Sequence, residues 1–372
     1  MIRTIYQFIF AGLSLVIFSC QKDVLNPIEK ALKSSDPKIK RVVENMDVHE
    51  VQILFTEILS DKAEIIFKDY SYNLQDEDYF YPASSVKFPI AVLALEKLRD
   101  YPKIDRHTLF LALEDSVKTT VAAEIEKIFA VSDNVAYNKL FDFLGKDAIN
   151  DSLKAKGLNA QISHKLATDD QKIYPVRFLV SDTIAQKVIN EKGDSIQPLK
   201  IDKLEKGVGY IKGDSLINKP MDFSKKNYLP ITTLHAVMKR ILFPEKFTIK
   251  ERFNLSDSDR NFLLRSMKLL PKAAGYVSNE YYDSYVKFLV FGDCKKDIPE
   301  HISIYNKVGY AYGYLTDCAY IVDEKRGKQF IITATVHVNK NGIYNDGIYE
   351  YEEIGIPFLA ELGRELTGIG LN

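Results

Sequence analysis

The sequence has few of the residues that build metal centres and no surplus of charge of one sign. Of 372 residues only three are cysteine and six are histidine, and none forms an H-x-x-x-H or C-x-x-C motif. We therefore expect neither a metal site nor another cofactor. Fifty basic and 51 acidic residues give a net charge of -1 without a basic stripe, which argues against nucleic acid as a partner. Tryptophan is absent, but 22 tyrosines and 21 phenylalanines can still fill a large core.

Long hydrophobic runs are also missing, except for one at the N-terminus. Arg3 precedes an apolar run over residues 5–18, which is too short for a comfortable membrane span and predicts a signal peptide over residues 1–19. The ending Ile17-Phe18-Ser19-Cys20 resembles a bacterial lipobox, which implies a lipid on Cys20 as membrane anchor. An ordinary cleaved secretory signal is the alternative. Either reading places the protein outside the cytoplasm, and the first places it in the cell envelope, periplasmic or at the outer membrane.

Residues 20–37 are polar and contain two prolines, which predicts a tether ahead of a catalytic domain over residues 38–372. If Cys20 carries lipid, Cys294 and Cys318 remain in an oxidising compartment. A disulfide and two separately buried thiols are both open.

The apolar pattern has period two near both termini and is helical between them. Alternation predicts five strands, at residues 51–60, 62–72, 303–309, 316–323 and 329–338. A helical pattern covers residues 108–157, and a final helix residues 353–366. We therefore predict an α+β fold: an antiparallel five-stranded sheet formed by both termini, flanked by helices, with an inserted all-α lobe. Residues 171–228 form an apparent insertion, and a monomer is expected.

One stretch suggests chemistry: Ser84 stands one helical turn before Lys87. On a helix the two side chains share a face, which is the arrangement that an activated serine nucleophile needs. The same spacing occurs at Ser35 and Lys38, but in a charged stretch, whereas Ser84 opens an apolar segment typical of a buried helix. For Ser84 alone, a helix-capping role is the simpler interpretation.

Two further motifs follow in order, Ser132-Asp133-Asn134 between helices and Lys307-Val308-Gly309 on a C-terminal strand. With Ser84-x-x-Lys87 they resemble the S-x-x-K, S-D-N and K-T-G set of the penicillin-recognising serine enzymes, most closely the class A β-lactamases. The resemblance covers about residues 45–368. It implies a β-lactamase/DD-peptidase-like fold and a small-molecule β-lactam or peptidoglycan-derived substrate.

The resemblance also implies a role for each motif residue. Ser84 would be the nucleophile and Lys87 its base, with burial and the charge of Lys307 lowering the pKa of Lys87. Ser132 would carry a proton to the leaving nitrogen, and Asp133 would be a buried structural acceptor. Lys307 would bind a substrate carboxylate, and Asn134 would bind the substrate amide. Gly309, which has no side chain, would leave room for a substrate along the strand edge. The N–H groups of Ser84 and Tyr310 would form an oxyanion hole.

Two departures from the family pattern stand out. Val308 replaces a hydroxyl residue, which removes a donor to a substrate carboxylate and weakens β-lactam binding by about 1 to 2 kcal/mol. The deacylating glutamate of class A enzymes is also missing, since no glutamate occurs from Lys127 to Asn190. Asp169 and Asp170 lie where that loop is expected, either as the base or as turn formers.

Three functions remain open. The first is a β-lactamase-like hydrolase with a Ser84 acyl-enzyme, and the second is a DD-peptidase-like acyltransferase on peptidoglycan peptides. The third is a non-catalytic binding protein of the cell envelope, against which the lysine pair around a serine argues.

The lipid anchor gives the first prediction. Cys20→Ser should move the protein from the membrane fraction to the soluble fraction, because it removes the acylated thiol. Fractionation followed by immunoblotting measures this, and a variant that stays with the membrane would refute the anchor.

Overall fold

The computed structural model describes residues 26–61, 64–112, 117–181, 184–188 and 196–371. The predicted signal peptide and Cys20 lie outside these residues. Within them, no helix has the length and apolar character needed to cross a membrane.

The described residues form fourteen strands and ten α-helices. The strands are β1 (Gln52–Asp61), β2 (Glu64–Tyr72), β3 (Leu109–Ala112), β4 (Thr119–Thr120), β5 (Val176–Ser181), β6 (Ile184–Val188), β7 (Glu205–Lys206), β8 (Gly209–Lys212), β9 (Ser215–Ile217), β10 (Met221–Asp222), β11 (Ile302–Ala311), β12 (Tyr314–Asp323), β13 (Lys328–His337) and β14 (Ile343–Tyr344). The helices are α1 (Pro27–Leu32), α2 (Pro37–Val43), α3 (Met46–His49), α4 (Lys87–Leu98), α5 (Val121–Val131), α6 (Asn134–Leu144), α7 (Lys146–Ala155), α8 (Ile231–Leu242), α9 (Asp257–Lys268) and α10 (Ile356–Thr367).

The predicted five-stranded sheet is confirmed. Its strand order is β11-β12-β13-β1-β2, all antiparallel, and the register Ile53↔Ala334 joins the N-terminal hairpin to the C-terminal strands. The strands are rich in β-branched and aromatic residues, which pack well on a pleated surface. Helix α10 covers one face with Phe358, Leu359 and Leu362, all fully buried. Strand β11 is left at an edge of this sheet.

The inserted lobe is mainly helical, but it is not all-α as the sequence predicted. It contains a four-stranded sheet of order β4-β3-β5-β6. Strand β3 lies where the pattern predicted helix, and it pairs with β5 of the insertion, with Phe110 opposite Phe178. Both rings are fully buried and their centroids are 5.4 Å apart. A distant partner thus fixes a four-residue strand that local periodicity cannot distinguish from a helix.

The predicted tether over residues 20–37 is wrong from Pro27 onward, because α1 is part of the folded domain. Asn26 caps this helix and Pro27 occupies its first turn. Ile28, Ala31 and Leu32 have the spacing of a helix stripe and are buried in the core beneath α10. A prediction based on charge and proline content missed this short apolar stripe.

The insertion over residues 171–228 adds strands β8 and β9 to a three-stranded sheet of order β14-β8-β9, which is separate from the main sheet. Strand β8 pairs in parallel with β14, which follows the last long strand. Phe223, fully buried, packs against the rings of Tyr81 and Tyr312 at centroid distances of 6.1 and 5.4 Å. The insertion therefore reaches the segment that carries Ser84.

Residues Ala83–Val86 form one 3-10 turn that leads directly into α4. This confirms the irregular opening turn that Pro89 predicts. Helix α4 is buried almost all round, as its apolar sequence indicates. The two cysteines within the described residues are free thiols, Cys318 buried and Cys294 partly exposed, so the disulfide alternative does not hold.

Candidate active site

Strand β11 packs directly against the turn that carries Ser84. A Cβ atom on Gly309 would lie 2.5 Å from the Pro82 carbonyl oxygen and 2.9 Å from the Ser84 nitrogen. Only glycine permits this approach. The sequence had linked Gly309 to the path of a substrate, whereas the structure shows that its missing side chain first allows the strand and the turn to meet.

Ser132 lies in the tight connection between α5 and α6. Its φ of 57° is in the left-handed region, at the C-cap of α5. The next residue, Asp133, is the N-cap of α6, and its carboxylate accepts a hydrogen bond from the Ala136 N–H at 2.7 Å. Asp133 is thus a structural acceptor, although it is half-buried rather than buried. The two caps hold the Ser132 side chain between the helices.

The Lys87 side chain is fully buried and points to this connection. Its Nζ donates hydrogen bonds to the Ser132 carbonyl at 2.5 Å and to Asn134 Oδ1 at 2.7 Å, and lies 3.4 Å from Ser132 Oγ. Burial lowers the pKa of Lys87 to about 7, against the opposing effect of the Asp133 carboxylate. A neutral amine, able to accept a proton, is therefore well populated near neutral pH.

Lys307 approaches the same hydroxyl from β11. Its Nζ donates to Ser132 Oγ at 2.8 Å and to the Val308 carbonyl at 2.6 Å. Burial lowers the pKa of Lys307 well below its usual value, and the charge of Lys87 adds to this effect. The two lysines, far apart in sequence, converge on Ser132. The structure thus brings together the three motifs that the sequence singled out.

Ser84 opens onto a cavity of about 520 Å³. The lining combines this serine and Asn134 with aromatic and small residues of the rim: Tyr81, Ala83, Leu166, Ala167, Tyr310, Ala311, Tyr312, Asn345, Gly347, Tyr349 and Tyr351. Tyr310 is the tyrosine of this rim that the sequence had singled out; the other rim tyrosines were not predicted, although the density of tyrosine between Tyr344 and Tyr351 was a usable signal.

Val308 does not line this cavity. Its side chain is 1% exposed and belongs to the apolar core beneath α10, on the opposite face of β11 from Lys307. The sequence predicted that Val308 removes a hydrogen-bond donor to the substrate. In the structure, however, β11 directs this side chain into the core and away from the cavity.

The loop that follows α7 presents apolar residues to the cavity. Leu166 is fixed by Asn138, whose Nδ2 donates to the Leu166 carbonyl at 3.0 Å and whose Oδ1 accepts from the Leu166 N–H at 2.9 Å. Asp169 and Asp170 are exposed and are absent from the lining. Asp170 accepts hydrogen bonds from the Lys172 N–H and the Tyr174 hydroxyl at 3.0 and 2.8 Å, as a turn former does. No carboxylate lines this cavity.

The side chains offer no metal centre in the described part of the chain, where no group of three His, Cys, Asp or Glu residues is arranged to hold an ion.

Comparison with known proteins gives two results. The sequence model of the β-lactamase enzyme family matches residues 35–198, a range that includes Ser84, Lys87 and Ser132 but not Lys307. No curated protein sequence is significantly similar to the chain.

Solved structures extend the likeness beyond the matched range. β-Lactamases from Sphaerobacter thermophilus and Desulfarculus baarsii each align over 92% of this chain, and over 96% and 99% of their own, at 14% identity and a TM-score of 0.52. A β-lactamase from Streptosporangium roseum aligns over 88% of this chain and 97% of its own, at 13% identity and a TM-score of 0.51. At such identity the alignments establish the fold.

Residues 35–198 therefore match the β-lactamase enzyme family, and the chain has the fold of these solved β-lactamases.

Proposed function

We propose that this protein is a serine hydrolase of the class A β-lactamase type that forms an acyl-enzyme on Ser84 with a β-lactam or a related amide. One observation carries the proposal: the buried Lys87 and Lys307 amines both reach Ser132 Oγ beside the turn that presents Ser84. A lysine whose pKa is near 7 can take the proton that a serine loses on attack.

The proposed reaction follows from these contacts. Ser84 Oγ attacks the substrate carbonyl while its proton passes to the neutral Lys87 amine. Ser132 Oγ then gives its proton to the departing nitrogen and regains one from Lys87, so that the acyl-enzyme forms without net proton uptake. The N–H groups of Ser84 and Tyr310 would bind the oxyanion, and the close approach of Gly309 to the Ser84 nitrogen supports this placement.

A second function, a DD-peptidase-type acyltransferase on peptidoglycan peptides, is favoured by the loop beside the cavity. Leu166 and Ala167 are the residues of this loop that line the cavity, and neither side chain can act as the base that activates water. An acyl-enzyme in this cavity would persist until another nucleophile displaced it. A non-catalytic binding role gives no reason to bury two amines around one hydroxyl, because burial of such groups costs stability.

Anchoring by lipid on Cys20, location in the cell envelope and a monomeric state belong to the same proposal. They rest on the sequence, and a membrane-held acyl-transfer enzyme is compatible with either substrate class.

Ser84→Ala should abolish the covalent adduct with a fluorescent penicillin, because it removes the attacking oxygen. Intact-mass spectrometry checks this on purified protein. The matched control is Ser35→Ala, which removes the serine of the other S-x-x-K stretch, on the surface. An adduct of equal yield in Ser84→Ala would rule out the nucleophile assignment.

The rate of acylation should rise with pH through about 7 and then level off, because only the neutral Lys87 amine accepts the proton. Below this pKa the rate should fall roughly tenfold per pH unit. The apparent value belongs to the coupled Lys87 and Lys307 pair. Stopped-flow acylation between about pH 5 and 9 measures it, and a rate independent of pH would contradict the role of Lys87.

Hydrolysis of a chromogenic cephalosporin should show a burst of about one equivalent and then slow turnover, because the cavity lining lacks a carboxylate base. Leu166→Glu should speed release of the acyl group, whereas Asp169→Asn and Asp170→Asn should leave the slow phase unchanged. Slow-phase rates from absorbance traces test all three. If either aspartate variant traps the adduct, that aspartate is the base and the expectation is wrong.

A further inference from the structure

A second cavity, of about 380 Å³, adjoins the Ser84 cavity along the outer side of β11. The two share the rings of Tyr310, Tyr349 and Tyr351 as a common wall. The remaining lining comes from the segment before β11 and from the segment that leads into α10: Tyr282, Tyr285, Phe288, Gly292, Ile348, Glu350, Glu352, Glu353 and Ile356. The two cavities therefore lie side by side, with these three rings between them.

The common wall is held in place by the backbone. The Tyr351 hydroxyl accepts a hydrogen bond from the Gly313 N–H, and the Tyr349 hydroxyl accepts one from the Asn345 N–H, both at 2.8 Å. Tyr351 packs edge-on against Tyr310 and tilted against Tyr349, with centroid distances of 5.3 Å in both pairs. Anchored hydroxyls and packed rings give a rigid surface that offers π electron density rather than free polar groups.

All charged residues of the lining are acidic. Glu353 pairs with Arg41 at 2.6 Å, and Glu350 accepts a hydrogen bond from the Lys340 N–H at 3.1 Å. Glu352 is exposed. The pKa of Tyr310 is raised by burial and, further, by the carboxylates of Glu352 and Glu280. Glu352 and Glu280 therefore place negative charge near the Tyr310 ring, whereas the charge of Glu353 is compensated by Arg41.

One lysine of the protein already contacts an aromatic ring of this lining. Lys295 Nζ lies 5.2 Å from the centroid of the Tyr282 ring, within the distance of a cation–π contact. Lys295 itself is absent from the cavity lining. An ammonium group is thus compatible with one aromatic ring of the cavity lining, and the cavity combines rings of this kind with carboxylates.

We infer that this second cavity binds an ammonium group on the substrate that acylates Ser84. The inference rests on the proposed function and narrows it to amides or β-lactams that carry an amine at a distance from the reacting carbonyl. Aromatic rings beside carboxylates select such a group by cation–π attraction and charge together. Neutral substrates of the same shape would gain neither.

The first test measures binding without acylation. Saturation-transfer NMR on the Ser84→Ala protein would compare Nα-acetyl-lysine methylamide with its Nε-acetylated form, which lacks the charge. The charged probe should bind at least about threefold more tightly. Glu352→Gln and Tyr282→Leu should each reduce that preference, whereas Glu324→Gln, at an exposed turn beyond β12, should keep it. Equal binding of the two probes, or a preference unchanged in both cavity variants, would overturn the inference.

The second test uses acylation of the wild-type protein. Ampicillin differs from benzylpenicillin by a side-chain amine, and cefepime differs from cefotaxime by a quaternary ammonium group at the other end of the molecule. The cationic member of at least one pair should acylate faster, and Glu352→Gln should reduce the difference between the two members, whereas Glu324→Gln should preserve it. Equal rates within both pairs would contradict the inference. A charged probe that binds by NMR to a protein which no β-lactam acylates would instead refute the proposed function alone.

Discussion

The site depends on the burial of two lysine amines around one serine hydroxyl. Lys87 and Lys307 both reach Ser132 Oγ, at 3.4 and 2.8 Å. Two ammonium charges at this separation repel each other, and the buried surroundings deny them solvation. The arrangement persists because Asn134 and two backbone carbonyls accept their hydrogen bonds. The cost of burial is what lowers the pKa of Lys87 toward neutrality.

An acid behind the strand offsets part of this cost. Asp317 is fully buried on the opposite face of the sheet from Lys307, and it accepts hydrogen bonds from Asn306 Nδ2 at 2.8 Å and from the Leu289 N–H at 3.1 Å. Asn306 Oδ1 in turn accepts from Lys287 Nζ at 2.7 Å. Burial raises the pKa of Asp317 to about 6. Removal of this carboxylate would leave the lysines with less compensation, so the core beneath the sheet helps to set the protonation of the site.

Local patterns in the sequence predicted the sheet and the reactive groups. Strands β1, β11, β12 and β13 are ten residues long each and rich in β-branched and aromatic residues, which makes them recognisable as strands. Ser84 and Lys87 were recognisable because helical spacing places them together. Strand β3 and helix α1 were missed because each is short and is stabilised by residues distant in sequence. Gly309 also allows β11 to pack against the Ser84 turn. This role depends on the close approach of two backbones, which a pattern of side chains cannot predict.

The segments joined by the pairing of β8 with β14 are not the segments that carry the residues proposed to react. The atoms that would react stand on the Ser84 turn, the α5–α6 connection and β11, whereas Tyr349 and Tyr351 of the cavity rim lie beyond the last long strand, and Phe223 of the insertion packs against the rim residue Tyr312. The rim can therefore change by loop substitutions while the lysine and serine contacts stay intact. In this architecture, a new substrate range requires changes at the surface and none in the buried charge network.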